Sequence, residues 1–125
     1  MQLECYRKDY SLNDPERFSR IAADRAKLLR LLSLTSTDII GLLSINRDKN
    51  ILQYGFVINA VVGEDTLAEV DIEKCSVTVP DAGWASFESS SDDMLVTYEA
   101  IEIVQDVHCA IEQYDSDTKC RLLVQ

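Results

Sequence analysis

Residues 14–32 read DPERFSRIAADRAKLLRLL, and they decide the fold class. Asp14 suits a helix N-cap, Pro15 suits the first helical position, and Glu16 complements the positive end of the helix dipole. Phe18, Ile21, Ala22, Arg25, Leu28, Leu29 and Leu32 then recur at spacings of three and four, which predicts an amphipathic helix. Arg25 is the one polar residue on that face, and Ala23, Ala26 and Leu31 widen the apolar stripe. Arg17, Arg20, Lys27 and Arg30 decorate the outer side, opposed only by Glu16 and Asp24.

On either side of this helix the pattern has the period of two that marks strands. Residues 3–8 form a short first strand. The run IIGLLSI (39–45), the polar turn 46–50 and the alternation Leu52, Tyr54, Phe56, Ile58 predict a hairpin. Gly55 weakens its second strand unless it marks a bulge or a close backbone approach. Leu67 to Val79 alternates in two phases that slip near Glu73 and Lys74, the signature of a strand with a bulge. FESSSDD (87–93) reads as an exposed loop, and Met94 to Val104, rich in β-branched residues, as a further slipped strand. Val107, Cys109 and Ile111, then Cys120, Leu122 and Val124, flank the turn 115–117 as a closing hairpin. The prediction is an α+β fold: one N-terminal amphipathic helix packed on a mostly antiparallel, curved sheet of five to seven strands.

The chain has 125 residues, 46% of them apolar, which matches a single domain over 1–125 with enough material for one core. Four Gly and two Pro leave no composition for a linker. The start, MQLECYRKDY, lacks the basic and apolar segments of a secretory signal, and no apolar run approaches the roughly 20 residues that span a bilayer. The expectation is a soluble cytoplasmic protein whose scattered cysteines, Cys5, Cys75, Cys109 and Cys120, are free thiols. Net charge is −10 and unevenly placed, with residues 1–49 at +2 and residues 50–125 at −12. That distribution disfavours direct nucleic-acid binding, which needs clustered Lys and Arg against phosphate.

Chemistry-bearing residues are few. His108 is the only histidine, and its neighbour Cys109 points to the opposite strand face, so the two make a poor catalytic pair. Glu69, Asp71 and Glu73 at period two form a carboxylate row on one strand face, repulsive unless a basic partner docks on it. Asp92, Asp93, Asp115 and Asp117 add negative charge in loops, and Trp84 is a loop aromatic that either lids the sheet or anchors a partner. No phosphate-binding, dinucleotide or nucleophile-elbow motif occurs, no metal or other cofactor is signalled, and the chain reads as a non-enzyme.

Three functions follow from these observations. The first is an acidic inhibitor that binds a basic protein, such as a bacterial immunity protein neutralising a nuclease toxin, because concentrated negative charge speeds association with a cationic cleft. Its contact residues are Glu69, Asp71, Glu73, Trp84, Asp92, Asp93, Asp115 and Asp117. The second is an adaptor binding through a sheet edge or helix face, a homodimer included. The third is a small ligand-binding or enzymatic fold, distinguished by a cavity holding inward-facing Glu or Asp of raised pKa.

Overall fold

The helix of residues 14–32 forms, beginning two residues later than its cap suggests. In the computed structural model, which describes residues 1–125, Asp14 accepts from the Glu16 amide at 2.9 Å and helix α1 runs Arg17–Leu31. It ends where Ser33 turns left-handed at φ 54° and the Leu34 amide donates to the Leu29 carbonyl at 2.8 Å. Ile21, Arg25 and Leu28 are buried beneath it. Leu28 is fully enclosed, so Leu28→Ala is expected to lower the free energy of unfolding by about 3 kcal/mol, read from the urea midpoint at unchanged slope.

The remaining elements are strands β1 (Gln2–Ser11), β2 (Ile39–Asn46), β3 (Ile51–Ile58), β4 (Glu73–Thr78), β5 (Ala85–Ser90), β6 (Cys109–Tyr114) and β7 (Lys119–Val124). Two further helices are α2 (Glu64–Val70) and α3 (Met94–Val104). All seven strands belong to one sheet, ordered β4-β1-β3-β2-β6-β7-β5, and every neighbouring pair is antiparallel. The order contains a duplication that the sequence conceals. β1-α1-β2-β3 and β5-α3-β6-β7 are each a strand, a helix and a hairpin, with the hairpin's second strand inserted between the other two. The halves meet where β2 pairs with β6, Leu42 opposite Ile111, and β4 is added outside β1.

The helices cover one face. Tyr10, Leu43, Leu52, Tyr54, Phe56, Leu122 and Val124 of the sheet form one core with Ile21 and Leu28 of α1 and Met94, Tyr98 and Ile101 of α3. The opposite face carries Cys5, Leu42, Gly55, Val77 and Ile111, bordering a shallow groove beside Trp84.

The sheet and both hairpins agree with the pattern of the sequence; four expectations need correction. The amphipathic helix is not N-terminal, because β1 precedes it from Gln2. Residues 67–70, expected to begin the bulged strand, belong instead to helix α2: Glu64 and Asp65 favour its first turn, and Asp71, left-handed at φ 61°, stops it. Residues 94–104 are helical too. Met94, Tyr98 and Ile101 supply an inward face at spacings of four and three, while Val96, Ile103 and Val104 point to solvent. The Ser90 side chain accepts from the Asp92 amide just before it, so FESSSDD is strand β5 running into a short 3-10 turn.

Candidate functional site

Glu112 is the charged residue on which the fold converges. It lies on β6 at the seam of the two halves, opposite Gly41 of β2 and Leu122 of β7, and is 1% exposed. Tyr54 of β3 donates its hydroxyl to Oε1 of Glu112, and Tyr98 of α3 donates to Oε2 at 2.7 Å. Strand parity explains the convergence. Tyr54 faces the helices with Leu52 and Phe56, Glu112 does so with Ala110, and Tyr98 occupies the inward stripe of α3. Gly41 makes the room, since a Cβ there would collide with the Tyr54 hydroxyl and stand 3.0 Å from Glu112 Oε1.

Glu112 has no cationic partner within ion-pair distance. Burial raises its pKa above the ordinary glutamate value of 4.5, while the Tyr54 and Tyr98 hydrogen bonds and the field of Arg25 pull it down by less. Burial, then the Glu112 charge, pushes both phenols well above their usual range, so they stay protonated donors. Arg25, 5% exposed, is spent elsewhere. Its guanidinium lies 3.5 Å from the Tyr114 ring centroid, Nη2 donates to the Ser36 carbonyl, and Nη1 has no partner. The carboxylate is thus held by neutral donors in a place where a charge without a counter-charge is costly.

A cleft of about 290 Å³ opens above this cluster, near the lower end for small-molecule sites. Leu12, Phe18, Leu43, Leu52 and Tyr98 supply its apolar walls. The Phe18 and Tyr98 rings stack at 5.1 Å and 13°, so the ring that lines the cleft also carries the hydroxyl on Glu112. At the rim an exposed ion pair, Arg47 to Glu102 at 3.5 Å, joins the end of β2 to α3.

The acidic residues expected to form a contact surface fall into two groups at opposite sheet edges. Glu69 lies on α2 with Lys27 at 3.8 Å, Asp71 is the left-handed helix stop, and Glu73 opens β4. They are exposed but do not form a strand-face row, because the backbone between them is a helix end. Asp92 and Asp93 sit in the turn before α3, and Asp115 and Asp117 in the β6–β7 turn. Those two turns touch: the Ser91 amide donates to Thr118 and the Ser91 hydroxyl to the Asp117 carbonyl. Asp117 also accepts from the Ser36 hydroxyl, and Asp115 pairs with Arg121 at 4.0 Å. Trp84 is half-buried, donates Nε1 to the Pro80 carbonyl at 3.0 Å and borders the groove on the open face. His108 is exposed. No three His, Cys, Asp or Glu side chains converge as metal ligands, and no helix is long and apolar enough to cross a membrane.

Glu112, Tyr54, Tyr98 and Tyr114 were not among the candidates drawn from the sequence. The signal for Glu112 is the parity of β6: with Val107, Cys109 and Ile111 read as the inward set, Glu112 falls to solvent. Both faces of this strand are apolar enough that alternation alone leaves the choice open.

No protein-family model matches the sequence, and no curated protein does. Among solved structures, SAV2435 bound to tetraphenylphosphonium superposes with a TM-score of 0.57 and 14% identity over 98% of this chain and 87% of that one. At 14% identity the similarity lies in the fold alone.

Proposed function

We propose that this chain is a ligand-binding domain for a lipophilic aromatic monocation, taken into the cleft between α1 and α3 with Glu112 as its buried counter-charge. The observation that carries the reading is a carboxylate 1% exposed, bonded by two phenols and paired with no cation. A cation of delocalised charge loses little hydration on entering an apolar cleft and relieves the isolated charge of Glu112. The aromatic lining adds cation–π attraction. That SAV2435, of the same fold, binds tetraphenylphosphonium supports this ligand class. Glu112 does not itself line the cleft, whereas Tyr98 both lines it and bonds the carboxylate, so entry requires Tyr98 to swing off Phe18.

The test is calorimetric titration of tetraphenylphosphonium into the protein, with a neutral ligand of similar shape as control. Saturable one-to-one binding of the cation alone supports the reading; equal affinity for both ligands, or none for either, sinks it. Phe18→Ala, which removes one partner of the stack, is expected to speed association about tenfold with a smaller change in Kd, as seen by stopped-flow fluorescence. Arg47→Ala, which breaks the rim ion pair, acts in the same direction and more weakly.

A second reading draws on the acidic edge. Asp92, Asp93, Asp115 and Asp117 stand on two turns tied together by Ser91. They suit docking of a basic protein, such as a toxin domain, at a surface separate from the cleft. Reversing all four charges is expected to abolish salt-sensitive capture of such a partner while leaving cation binding in place.

A further inference from the structure

The sheet face turned away from the helices carries a pair of thiols that the ligand reading leaves unused. Cys5 of β1 and Cys75 of β4 are direct register partners, and their sulfurs stand 3.4 Å apart. Opposite residues of an antiparallel pair have Cα atoms about 4.5–5.5 Å apart, within the range of roughly 4.4–6.8 Å that a disulfide spans. Joining them therefore needs side-chain rotation and no shift of the strands. Gly55 of β3 leaves space beside them, since a Cβ there would stand 2.7 Å from the Cys5 sulfur. The groove beside Trp84 reaches Cys5, and Cys75 is partly exposed. The other two cysteines offer no competing pair: Cys120 faces the helical core, whereas Cys109 borders the groove on the opposite face.

We propose that Cys5 and Cys75 are a thiol–disulfide modification site, oxidised by a small-molecule disulfide of the glutathione type. The more exposed Cys75, as thiolate, attacks one sulfur of the small disulfide; that S–S bond breaks, one small thiolate leaves, and Cys75 carries a mixed disulfide. Cys5 gives its proton to that thiolate and attacks the Cys75 sulfur, and the second small thiolate leaves and takes up the proton that Cys75 first released. One disulfide is reduced to two thiols, and two protein thiols are oxidised to one disulfide. Burial and the neighbouring Cys75 thiol push the Cys5 pKa up to about 12, so closure is slow at neutral pH and quickens as pH rises. The bond pins β4, an edge strand whose sole partner in the sheet is β1.

The test equilibrates the full chain in glutathione buffers of stepped potential, quenches with acid, alkylates free thiols, and maps linkages by mass spectrometry under non-reducing conditions. The expected result is joint loss of two alkylation sites, a Cys5–Cys75 linked peptide, and the same behaviour in a C109S/C120S variant. Hydrogen exchange of the oxidised wild type is expected to show β4 amides slowed about tenfold, reversed by reductant. Four alkylated thiols in the most oxidising buffer, a link between any other pair, or a glutathione adduct on Cys75 that never closes would each overturn the proposal. The wild-type map decides the matter even if C5S or C75S fails to fold.

Discussion

Glu112→Gln is expected to weaken tetraphenylphosphonium binding about 100-fold, a loss of roughly 2.8 kcal/mol, while leaving the protein folded and no less stable. The amide keeps the shape of the acid. Its oxygen accepts from one phenol and its NH₂ donates to the other, whose hydroxyl turns to receive it. What disappears is the charge, the feature of the site that most strongly favours a cation over a neutral molecule. The same variant tests the electrostatics of the free protein. Burial raises the Glu112 pKa in the folded state, so above the ordinary glutamate value the unfolded chain has released a proton that the native state retains. The native state then binds more protons, and stability falls as pH rises. The contribution of Glu112 is fully present below about 4.5 and is lost as pH rises through its folded pKa. Urea midpoints of wild type and Glu112→Gln should therefore coincide in acid and diverge toward neutral pH, the variant becoming the more stable. Cation affinity for the wild type runs the other way, rising with pH and levelling off once Glu112 is ionised, whereas that of the variant is flat. Parallel pH profiles of the two proteins, in stability and in binding, would remove Glu112 from the site.

Gly41→Ala is the second large effect. The added methyl meets the Tyr54 hydroxyl head-on, with Tyr54 Cζ at 2.6 Å and Glu112 Oε1 at 3.0 Å. The Tyr54 ring has nowhere to go: it is completely buried and packs on Phe56 at a centroid distance of 4.9 Å. A clash with a rigid ring in a closed core costs about 3 kcal/mol, measured as a lowered urea midpoint, and the shifted phenol leaves Oε1 of Glu112 without its donor. Cation affinity at a pH where Glu112 is ionised is expected to fall along with stability. Gly55→Ala serves as the internal comparison. It meets the Cys5 sulfur on the opposite face, so it perturbs stability without reaching the carboxylate. A Gly41→Ala protein as stable as the wild type would mean that the backbone does not approach the phenol this closely.

The legible part of the fold was the part with a strong period. The stripe from Phe18 to Leu32 yields α1, and the alternation of Leu52, Tyr54, Phe56 and Ile58 yields both the strand and its inward face. The helix α3 was misread because its exposed side carries Val96, Ile103 and Val104. β-Branched residues there mimic a strand, and the inward residues Met94, Tyr98 and Ile101 are only three against that background. The site was illegible for a related reason. Its members come from β3, α3, β6 and α1, and no local pattern links residues 54, 98 and 112 before the sheet is assembled. Arg25 did stand out as a polar residue on an apolar helix face, and the structure shows why it is tolerated there: it stacks on Tyr114 and caps the Ser36 carbonyl. A buried charge is the sort of local inconsistency that marks a functional position.

The duplicated architecture also bears on how the chain assembles. Each strand–helix–hairpin half is built from segments close together in the sequence, whereas the β2–β6 seam joins residues more than half the chain apart, Leu42 to Ile111 among them. Contacts of low sequence separation form quickly, and loop-closure entropy delays the distant ones. The halves should therefore gain structure early, with seam closure limiting the folding rate. Tyr54 and Glu112 come from different halves, so their bond is made at that late step, and a cation held there would act chiefly by slowing the separation of the two halves.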